Sequence, residues 1–416
     1  MRSARLAAVL VALGCAGAIT AVACSDSYSS APETAAEAGV DASGEGGARE
    51  GQDDPCAHAS PPTSSTADEP GASLPPFVVA LTSEAPDAGG VDPGFDLDGV
   101  CTCEARPGTA HDGGESCTRP KGSSPACDSD GGGDNNLGNL FEQFGSFYPL
   151  AKVLGEQIDK GRANILLQIG DYNGHANDSS VTVALFASQG IRAQGCASST
   201  FDSAFGTWAP GWCGDDAWTI TSDSVIGGTY KAPVVVGQGY VKDWVLVARV
   251  MGSSRMPFTD EYAVAVLDPI VTGKLVPLGE DLKPRDPTRA AVGREPRLWR
   301  VEGGRVGSRI PVREIVTGIG VTKVASDGGN VQLCTQSSFT AVKTILCASP
   351  DVNTDKAKDF DPTASCDAVS AGVPFTAAPV LIGDVYDRTR KPGPCDPGPN
   401  GDPLDAGSVT YSCPTK

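Results

Sequence analysis

The chain has 416 residues, fourteen cysteines and a formal net charge of −19. Most of the negative charge lies near the N-terminus, because residues 25–136 carry 21 acidic side chains against 4 basic ones, whereas residues 137–416 carry 30 against 26. We find no clustered positive field of the kind that a phosphate backbone requires, so we expect no nucleic-acid partner.

Arg2 and Arg5 precede a long apolar run, which is the layout of a secretory signal rather than of a membrane span. The run ends in the residues AVAC, the last of which is Cys24. Small residues before a cysteine resemble the lipobox of bacterial lipoproteins, in which that cysteine carries the lipid. We therefore predict a lipoprotein signal peptide over residues 1–23, lipidation at Cys24 and an outer-membrane location in the cell envelope. The alternative is an ordinary signal peptide cleaved before the same cysteine.

A polar segment over residues 24–75 follows the signal peptide. It is rich in Ala, Gly, Ser, Pro, Asp and Glu and has no periodic apolar residues. Such a composition cannot bury enough apolar surface to offset the entropy of the chain, so we predict a disordered acidic tether. The folded region is predicted over residues 76–416. Apart from Cys15 and Cys24 there are twelve cysteines, an even number that indicates disulfides in an exported chain.

Short runs rich in Val, Ile and aromatic residues, separated by Gly, Asp, Asn and Pro, predict strands. They lie at residues 77–81, 165–169, 181–187, 218–221, 234–236, 244–250, 262–267 and 298–301. Helical periodicity of the apolar residues predicts helices at residues 137–144, 149–161, 312–316 and 339–346. We therefore expect a mainly β fold: an antiparallel, jelly-roll-like β-sandwich with a few helices, long disulfide-bonded loops and a loop-like tail over residues 384–416.

Residues 92–136 form an acidic, cysteine-rich insertion with almost no apolar side chains. Its cysteines are Cys101, Cys103, Cys117 and Cys127. Cys101 and Cys103 are too close to bond each other without strain, so each would pair with one of the other two.

Either pairing brings two groups of acidic residues together, and an oxygen-rich cluster of this kind suits Ca²⁺. The predicted metal ligands are Asp96, Asp98, Asp128, Asp130 and Asp134. The alternative is a solvated acidic turn, because neither group completes an EF-hand loop.

Two other charged segments are candidates for binding. A second acidic loop begins at Asp351 with the alternation D-x-N-x-D, but Lys356 stands where a calcium loop needs glycine, which favours a surface loop. Residues 283–313 carry nine basic side chains against three acidic ones. This run would face an anionic polymer or the acidic insertion of the same chain, or it is a solvated surface.

Three tryptophans crowd the stretch TWAPGWCGDDAW. The predicted ligand-binding residues there are Trp208, Trp212, Trp218, Asp215 and Asp216, and Cys196 and Cys213 are available to close a loop. Exposed indoles beside carboxylates would suit a sugar, whose apolar face stacks on an aromatic ring while its hydroxyls bind the carboxylates. In the alternative, the tryptophans pack on the disulfide as a local core.

Several motifs together resemble those of a group of cell-envelope lipoproteins from Gram-negative soil bacteria with large genomes. They are the lipobox, the Ala/Gly/Asp tether, GFDLDGVCTC at 94–103, CDSDGGGDN at 127–135, YNG at 172–174, ILCASPDVNT at 345–354 and CDAVSAG at 366–372. The group has no assigned activity. The resemblance therefore implies an exported, disulfide-bonded envelope protein and adds no catalytic residue.

The sequence contains only three histidines and lacks G-x-S-x-G, H-E-x-x-H, phosphate-loop and dinucleotide-binding motifs. The leading hypothesis is a lipid-anchored cell-envelope protein whose β-sandwich binds an extracellular glycan, with Ca²⁺ as a stabilising cofactor and no catalytic residue. One alternative is a polysaccharide hydrolase or lyase that uses carboxylates such as Asp215, Asp216 or Asp171. Another is a structural or adhesive surface lipoprotein with a protein partner.

Overall fold

The body of the protein is a closed barrel of eight antiparallel strands, so the predicted β-sandwich is wrong. In a sandwich two sheets keep free edges, whereas here the last strand pairs with the first. The structure is a computed structural model that describes residues 59–64, 69, 71–83, 94–100, 102, 115–123, 126–129, 132–144, 150–257, 262–279, 282–283, 298–326, 329–359, 361, 363–389, 391–405, 407 and 409–414. Cys24, Cys101, Cys103 and Asp130 lie outside these residues, as do the predicted signal peptide and most of the tether.

The chain contains eight barrel strands, together with helices and with strands that lie outside the barrel order. In chain order, the elements are β1 (Phe77–Leu81), α1 (Asn136–Phe144), α2 (Leu150–Asp159), β2 (Asn164–Gly170), β3 (Asp178–Ser188), β4 (Phe201–Asp202), β5 (Thr207–Trp208), β6 (Ala217–Ile220), β7 (Val236–Lys242), β8 (Val245–Val250), β9 (Ser253–Pro257), β10 (Ala263–Leu278), β11 (Leu298–Pro311), α3 (Val312–Val321), β12 (Lys323–Ser326), β13 (Gly329–Gln332), α4 (Ser338–Cys347) and β14 (Ala368–Val385).

The barrel strands follow the order β1-β2-β3-β7-β8-β10-β11-β14, and β14 returns to β1. Both edges of the short strand β1 are therefore paired: Val79 lies opposite Leu167 of β2 on one side and opposite Pro379 of β14 on the other. Closing the sheet in this way removes the free edges that would otherwise expose unpaired backbone groups.

Side chains that alternate along the strands fill the barrel with one apolar core. Each of the eight strands contributes to it. Near the start of β11, Trp299 is part of an aromatic cluster in this core, with its ring centroid 5.8 Å from that of Phe77 and 5.3 Å from that of Tyr172. Apolar side chains therefore pack the interior of the barrel.

Two further apolar clusters lie outside the barrel. One joins α1, α3 and α4 to the end of the barrel and to the C-terminal tail, where the Tyr411 ring meets the Phe339 ring edge-on at 6.0 Å. The other surrounds the buried Trp218 of β6, which extends the end of β14 as a parallel neighbour. Among the residues that the structure describes, no helix is long and apolar enough to cross a membrane.

Four disulfides with both partners described fasten the loops and the tail, as the even cysteine count predicted. They are Cys117–Cys366, Cys196–Cys213, Cys334–Cys395 and Cys347–Cys413. Cys127 is disulfide-bonded as well. The expectation that Cys117 pairs within the acidic insertion is wrong, because Cys117 bonds Cys366 immediately before β14 and so fastens the insertion to the barrel.

Arg309 and Asp359 form an ion pair in the protein interior. Arg309 belongs to β11 and its side chain is 1% exposed, while Asp359 belongs to the loop before β14. The guanidinium donates to both carboxylate oxygens of Asp359, at 2.8 and 2.6 Å. It also donates to the backbone carbonyl of Asn353 at 2.7 Å and to that of Leu97 in the acidic insertion. One side chain thus joins the barrel wall to two loops.

We expect Asp359→Ala to lower the free energy of unfolding by about 3–5 kcal/mol, because it leaves the Arg309 guanidinium buried without its counter-charge. Chemical denaturation followed by circular dichroism measures the change. Lys358→Ala is the matched control, since Lys358 pairs with Asp355 on the surface at 3.9 Å and such pairs contribute about 0–1 kcal/mol. Equal, small losses in both variants would contradict the role given to the buried pair.

Candidate functional site

The acidic insertion contacts the barrel through two short segments, residues 94–100 and 132–136, which we call its arms. Phe95 and Asp134 form an antiparallel bridge, in which the backbone N–H of Asp134 donates to the carbonyl of Phe95 at 3.0 Å. The buried ring of Phe95 lies on Gly307 of β11, where a Cβ would come within 2.5 Å of the ring. Glycine at this position therefore lets the arm reach the barrel wall and sets the place of the acidic residues around it.

Three carboxylates of the arms converge. One oxygen from each of Asp96, Asp98 and Asp134 lies within 4.8 Å of the other two. Asp98 and Asp134 also line a small cavity, which they share with Asp128 and Asp351. This cavity has a volume of about 10 Å³, the space of one water molecule or one ion. We call the five aspartates the acidic centre. Glu115 and Arg119 also line the cavity.

Backbone and hydroxyl donors hold the carboxylates in place. Asp98 accepts the backbone N–H of Val100 at 2.9 Å and the hydroxyl of Ser116 at 2.5 Å. Asp134 accepts the backbone N–H of Leu97 at 2.7 Å through one of its two oxygens. These bonds occupy only part of the acceptor capacity of the two carboxylates.

Burial makes the charged state of these groups unfavourable. It raises the pKa of Asp98 to about 7, although the hydrogen bonds from Ser116 and Val100 oppose the rise. The pKa of Asp134 is raised well above its usual value, first by burial and then by the charge of Asp98. Burial also raises the pKa of Asp351 to about 6. Like charges packed this closely away from water call for protons or a cation.

The dimensions of the acidic centre fit a hard cation. Ca²⁺ binds carboxylate and carbonyl oxygens at about 2.3–2.6 Å, so two oxygens on one ion lie at most about 5 Å apart. The separations among the oxygens of Asp96, Asp98 and Asp134 stay within 4.8 Å. These three residues would hold the ion, with Asp128 and Asp351 in the cavity wall.

Asp351 is the member of the acidic centre that the sequence assigned to a different loop. Its carboxylate accepts the backbone N–H of Ser370 in β14 at 2.8 Å. The rest of its D-x-N-x-D loop is structural, since the buried Asn353 donates to the carbonyl of Ser365 at 2.9 Å. Asp351 reaches the insertion because Cys117 is bonded to Cys366, a connection that cysteine spacing alone does not reveal.

The tryptophan loop is closed by the Cys196–Cys213 disulfide. Asp216 is fully buried beneath the loop and accepts the backbone N–H groups of Gly211 and Trp212, at 2.9 and 2.7 Å. Trp212 has a positive φ of 52°, which is uncommon for a bulky residue. Asp216 therefore supports the shape of the loop and presents no surface to a ligand, contrary to its predicted role.

The three tryptophans lie in different environments. Trp218 is completely buried, with its ring centroid 6.2 Å from that of Trp212, so it is a core residue rather than a ligand contact. Trp208 in β5 is half-buried and pairs with Phe201 of β4, with 5.2 Å between ring centroids. Phe201 is 54% exposed. The β4–β5 hairpin thus presents an aromatic face, while Asp215 is exposed at the far end of the loop.

A larger cleft of about 620 Å³ opens beside the tip of this hairpin. Its walls are the hairpin tip, the β12–β13 hairpin and the chain after β14. The aromatic, polar and charged residues that line it are Phe205, Lys323, Asn330, Gln332, Thr335, Arg388 and Lys391. None of them stands out in the sequence, because the three walls are far apart in the chain. The Cys334–Cys395 disulfide brings two of the walls together.

Comparison with known proteins gives no match: no family model, curated protein or solved structure is significantly similar to this chain. The features that bear on function are therefore the acidic centre, the aromatic face of the β4–β5 hairpin and the adjoining cleft.

Proposed function

We propose that the protein is a lipid-anchored component of the cell envelope whose extracytoplasmic β-barrel binds a glycan and is stabilised by Ca²⁺. The observation that carries this proposal is the aromatic face of the β4–β5 hairpin, where the exposed Phe201 lies 5.2 Å from Trp208. Sugar rings offer an apolar face that stacks on such side chains, and exposed aromatic patches mark interaction sites.

The geometry favours binding over catalysis. Glycoside hydrolysis requires two carboxyl groups about 5–9.5 Å apart across a substrate-sized cleft. Among the described residues no Asp or Glu lines the 620 Å³ cleft, and the carboxylates of the acidic centre enclose only about 10 Å³. Asp216 is committed to the backbone of its loop, and Asp171 accepts the hydroxyl of Thr182 at 2.9 Å.

The hairpin suits a binding surface because it is held firmly. Arg162 forms an ion pair with Asp202 at 2.7 Å and stacks over the ring of Phe205, with 3.4 Å to the ring centroid. A surface that is already ordered loses little conformational entropy when a ligand binds. The ligand would therefore meet preorganised rings.

The Ca²⁺ proposal rests on the convergence of Asp96, Asp98 and Asp134 and on the burial that raises the pKa values of Asp98 and Asp134. A divalent cation would neutralise these carboxylates and would link the two arms of the insertion. Its role would be structural, because the cavity has no room for a substrate as well.

We expect Phe201→Ala and Trp208→Ala each to weaken binding to any polysaccharide that retards the parent protein. The expected loss is roughly three- to tenfold, the value of an aromatic stacking contact. Affinity electrophoresis on a panel of polysaccharides measures this. Met251→Ala, which removes an 80% exposed apolar side chain from the loop between β8 and β9, is the matched control. If the parent protein is retarded by no polysaccharide, the structural or adhesive alternative takes the place of glycan binding.

We expect millimolar Ca²⁺ to raise the melting temperature over that measured in EDTA, since a ligand at about a hundredfold over its Kd stabilises the folded state by about 2.7 kcal/mol. Differential scanning calorimetry measures the shift. Asp134→Asn should remove the gain without lowering the melting temperature in EDTA, because it deletes a buried like charge. Asp405→Asn, at an exposed site, should keep the gain. A parent protein that melts identically with Ca²⁺ and EDTA would refute the proposal.

The envelope location rests on the lipobox that ends at Cys24. We expect the protein expressed in a Gram-negative host to incorporate labelled fatty acid and to fractionate with membranes, and Cys24→Ala to do neither. Cys15→Ala should behave as the parent. Fatty-acid labelling that survives Cys24→Ala would place the anchor elsewhere.

A further inference from the structure

We propose that the cleft beside the β4–β5 hairpin binds an anionic sugar unit, so that the glycan recognised by this protein is acidic. The inference rests on the proposed glycan binding and specifies its ligand. The cleft adjoins the aromatic face, because Phe205 belongs both to the hairpin tip and to the cleft wall. A chain of sugars lying on Phe201 and Trp208 would reach the cleft with its next units.

The charge of the cleft opposes that of the whole protein. The chain carries a net charge of −19, yet Lys323, Arg388 and Lys391 line this cleft. No described Asp or Glu lines it. Positive charge gathered in a concave surface attracts and orients an anionic ligand, and it also rejects cationic ones.

A fourth cation lies close behind the wall. Arg192 donates to the backbone carbonyls of Phe205 and Gly206, at 3.2 and 2.8 Å, and stacks on the ring of Tyr386, 4.1 Å from its centroid. Burial, which outweighs the opposing effect of Tyr386, lowers the pKa of Arg192, and the neighbouring charge of Arg388 lowers it further. The Arg388 guanidinium in the cleft wall thus lies near a second cation, and like charges in proximity favour the approach of an anion.

Hydrogen bonds and a disulfide hold two walls of the cleft in place. Gln332 is buried; it accepts the backbone N–H of Cys395 at 3.0 Å and donates to the carbonyl of Val321 at 3.3 Å. The Cys334–Cys395 disulfide fastens the same two segments covalently. The β13 wall and the tail wall are thus fixed relative to each other before any ligand arrives.

The size and the remaining groups of the cleft suit a sugar acid. Its volume of about 620 Å³ falls within the range of about 300–1,000 Å³ found for small-molecule sites. Asn330 and Thr335 are exposed along the wall and offer hydrogen bonds to hydroxyls. Phe205, which is 37% exposed, supplies an apolar contact. A carboxylate would then meet the cations while the ring and its hydroxyls meet the other groups.

The test is isothermal titration calorimetry of the mature chain with trigalacturonate, and with maltotriose as the uncharged probe of the same length. We expect trigalacturonate to bind more tightly than maltotriose and its affinity to fall as salt is added. The double variant Lys323→Glu/Lys391→Glu should weaken trigalacturonate binding by about tenfold or more and leave maltotriose binding unchanged.

The matched control is Lys152→Glu/Lys231→Glu, which changes the net charge equally at two exposed sites outside the cleft. It should keep trigalacturonate affinity within about twofold, because exposed charges at a distance are screened. Melting temperatures of both variants verify that they are folded.

Three outcomes overturn the inference: no binding of trigalacturonate to the parent, equal affinity for the two trisaccharides, or equal effects of the two charge-reversal pairs. Loss of maltotriose binding in Trp208→Ala, together with any of these, shows that glycan binding stands and that the acidic specificity fails. Conversely, trigalacturonate binding that depends on Lys323 and Lys391 but not on Trp208 supports the cleft and refutes the hairpin as a glycan surface.

Discussion

The buried guanidinium of Arg309 is the interaction on which the placement of the acidic centre depends. A cation inside a protein is tolerated only when its charge is paired and most of its donors are hydrogen-bonded. The two terminal nitrogens of Arg309 meet this condition, whereas its Nε has no acceptor among the described residues. Leu97, Asn353 and Asp359 supply the acceptors, and they come from the acidic insertion and from the loop before β14. Both segments must therefore reach the same point of the barrel wall, which brings Asp98 and Asp134 of the insertion near Asp351 of the loop.

Two arginines, Arg309 and Arg119, lie beside the carboxylates that gather there. Burial lowers the pKa of Arg309, but the hydrogen bonds and charge of Asp359 more than offset this effect, and the charges of Asp98 and Asp134 raise it further. Asp359 takes up the charge of Arg309, and Arg119 offsets part of the charge of Asp351. Among the described residues, the five aspartates of the acidic centre outnumber the one arginine that remains in the cavity wall. The arrangement is physically consistent when a divalent cation or protons supply the difference, which is the basis of the Ca²⁺ proposal.

The parts of the fold that follow from the sequence are those with a local cause. Strand β1 and helix α1 follow from side-chain periodicity over a few residues, and their predicted bounds agree with the structure to within one residue. Strand β14 was not predicted, because Pro374, Pro379 and Gly372 interrupt its pattern. Yet this strand closes the barrel, and closure depends on contacts such as that between Thr82 and Thr376, 294 residues apart. A prediction that lacks strand β14 leaves the sheet with free edges, which is why a sandwich was expected.

The predicted site residues also divide into those whose position has a local cause and those whose position depends on long-range packing. Asp96, Asp98 and Asp134 come from one insertion, so their proximity follows from its short length, whereas the burial of Asp216 and Trp218 depends on packing that composition does not reveal. The charge distribution carries further information. Residues 25–136, with 21 acidic and 4 basic side chains, contribute four carboxylates to the acidic centre, while residues 137–416, with 30 and 26, provide every wall of the cleft. Near balance in the second part allows cations to gather on one concave surface that no described Asp or Glu lines, so a strongly acidic protein can still present a site for an anion.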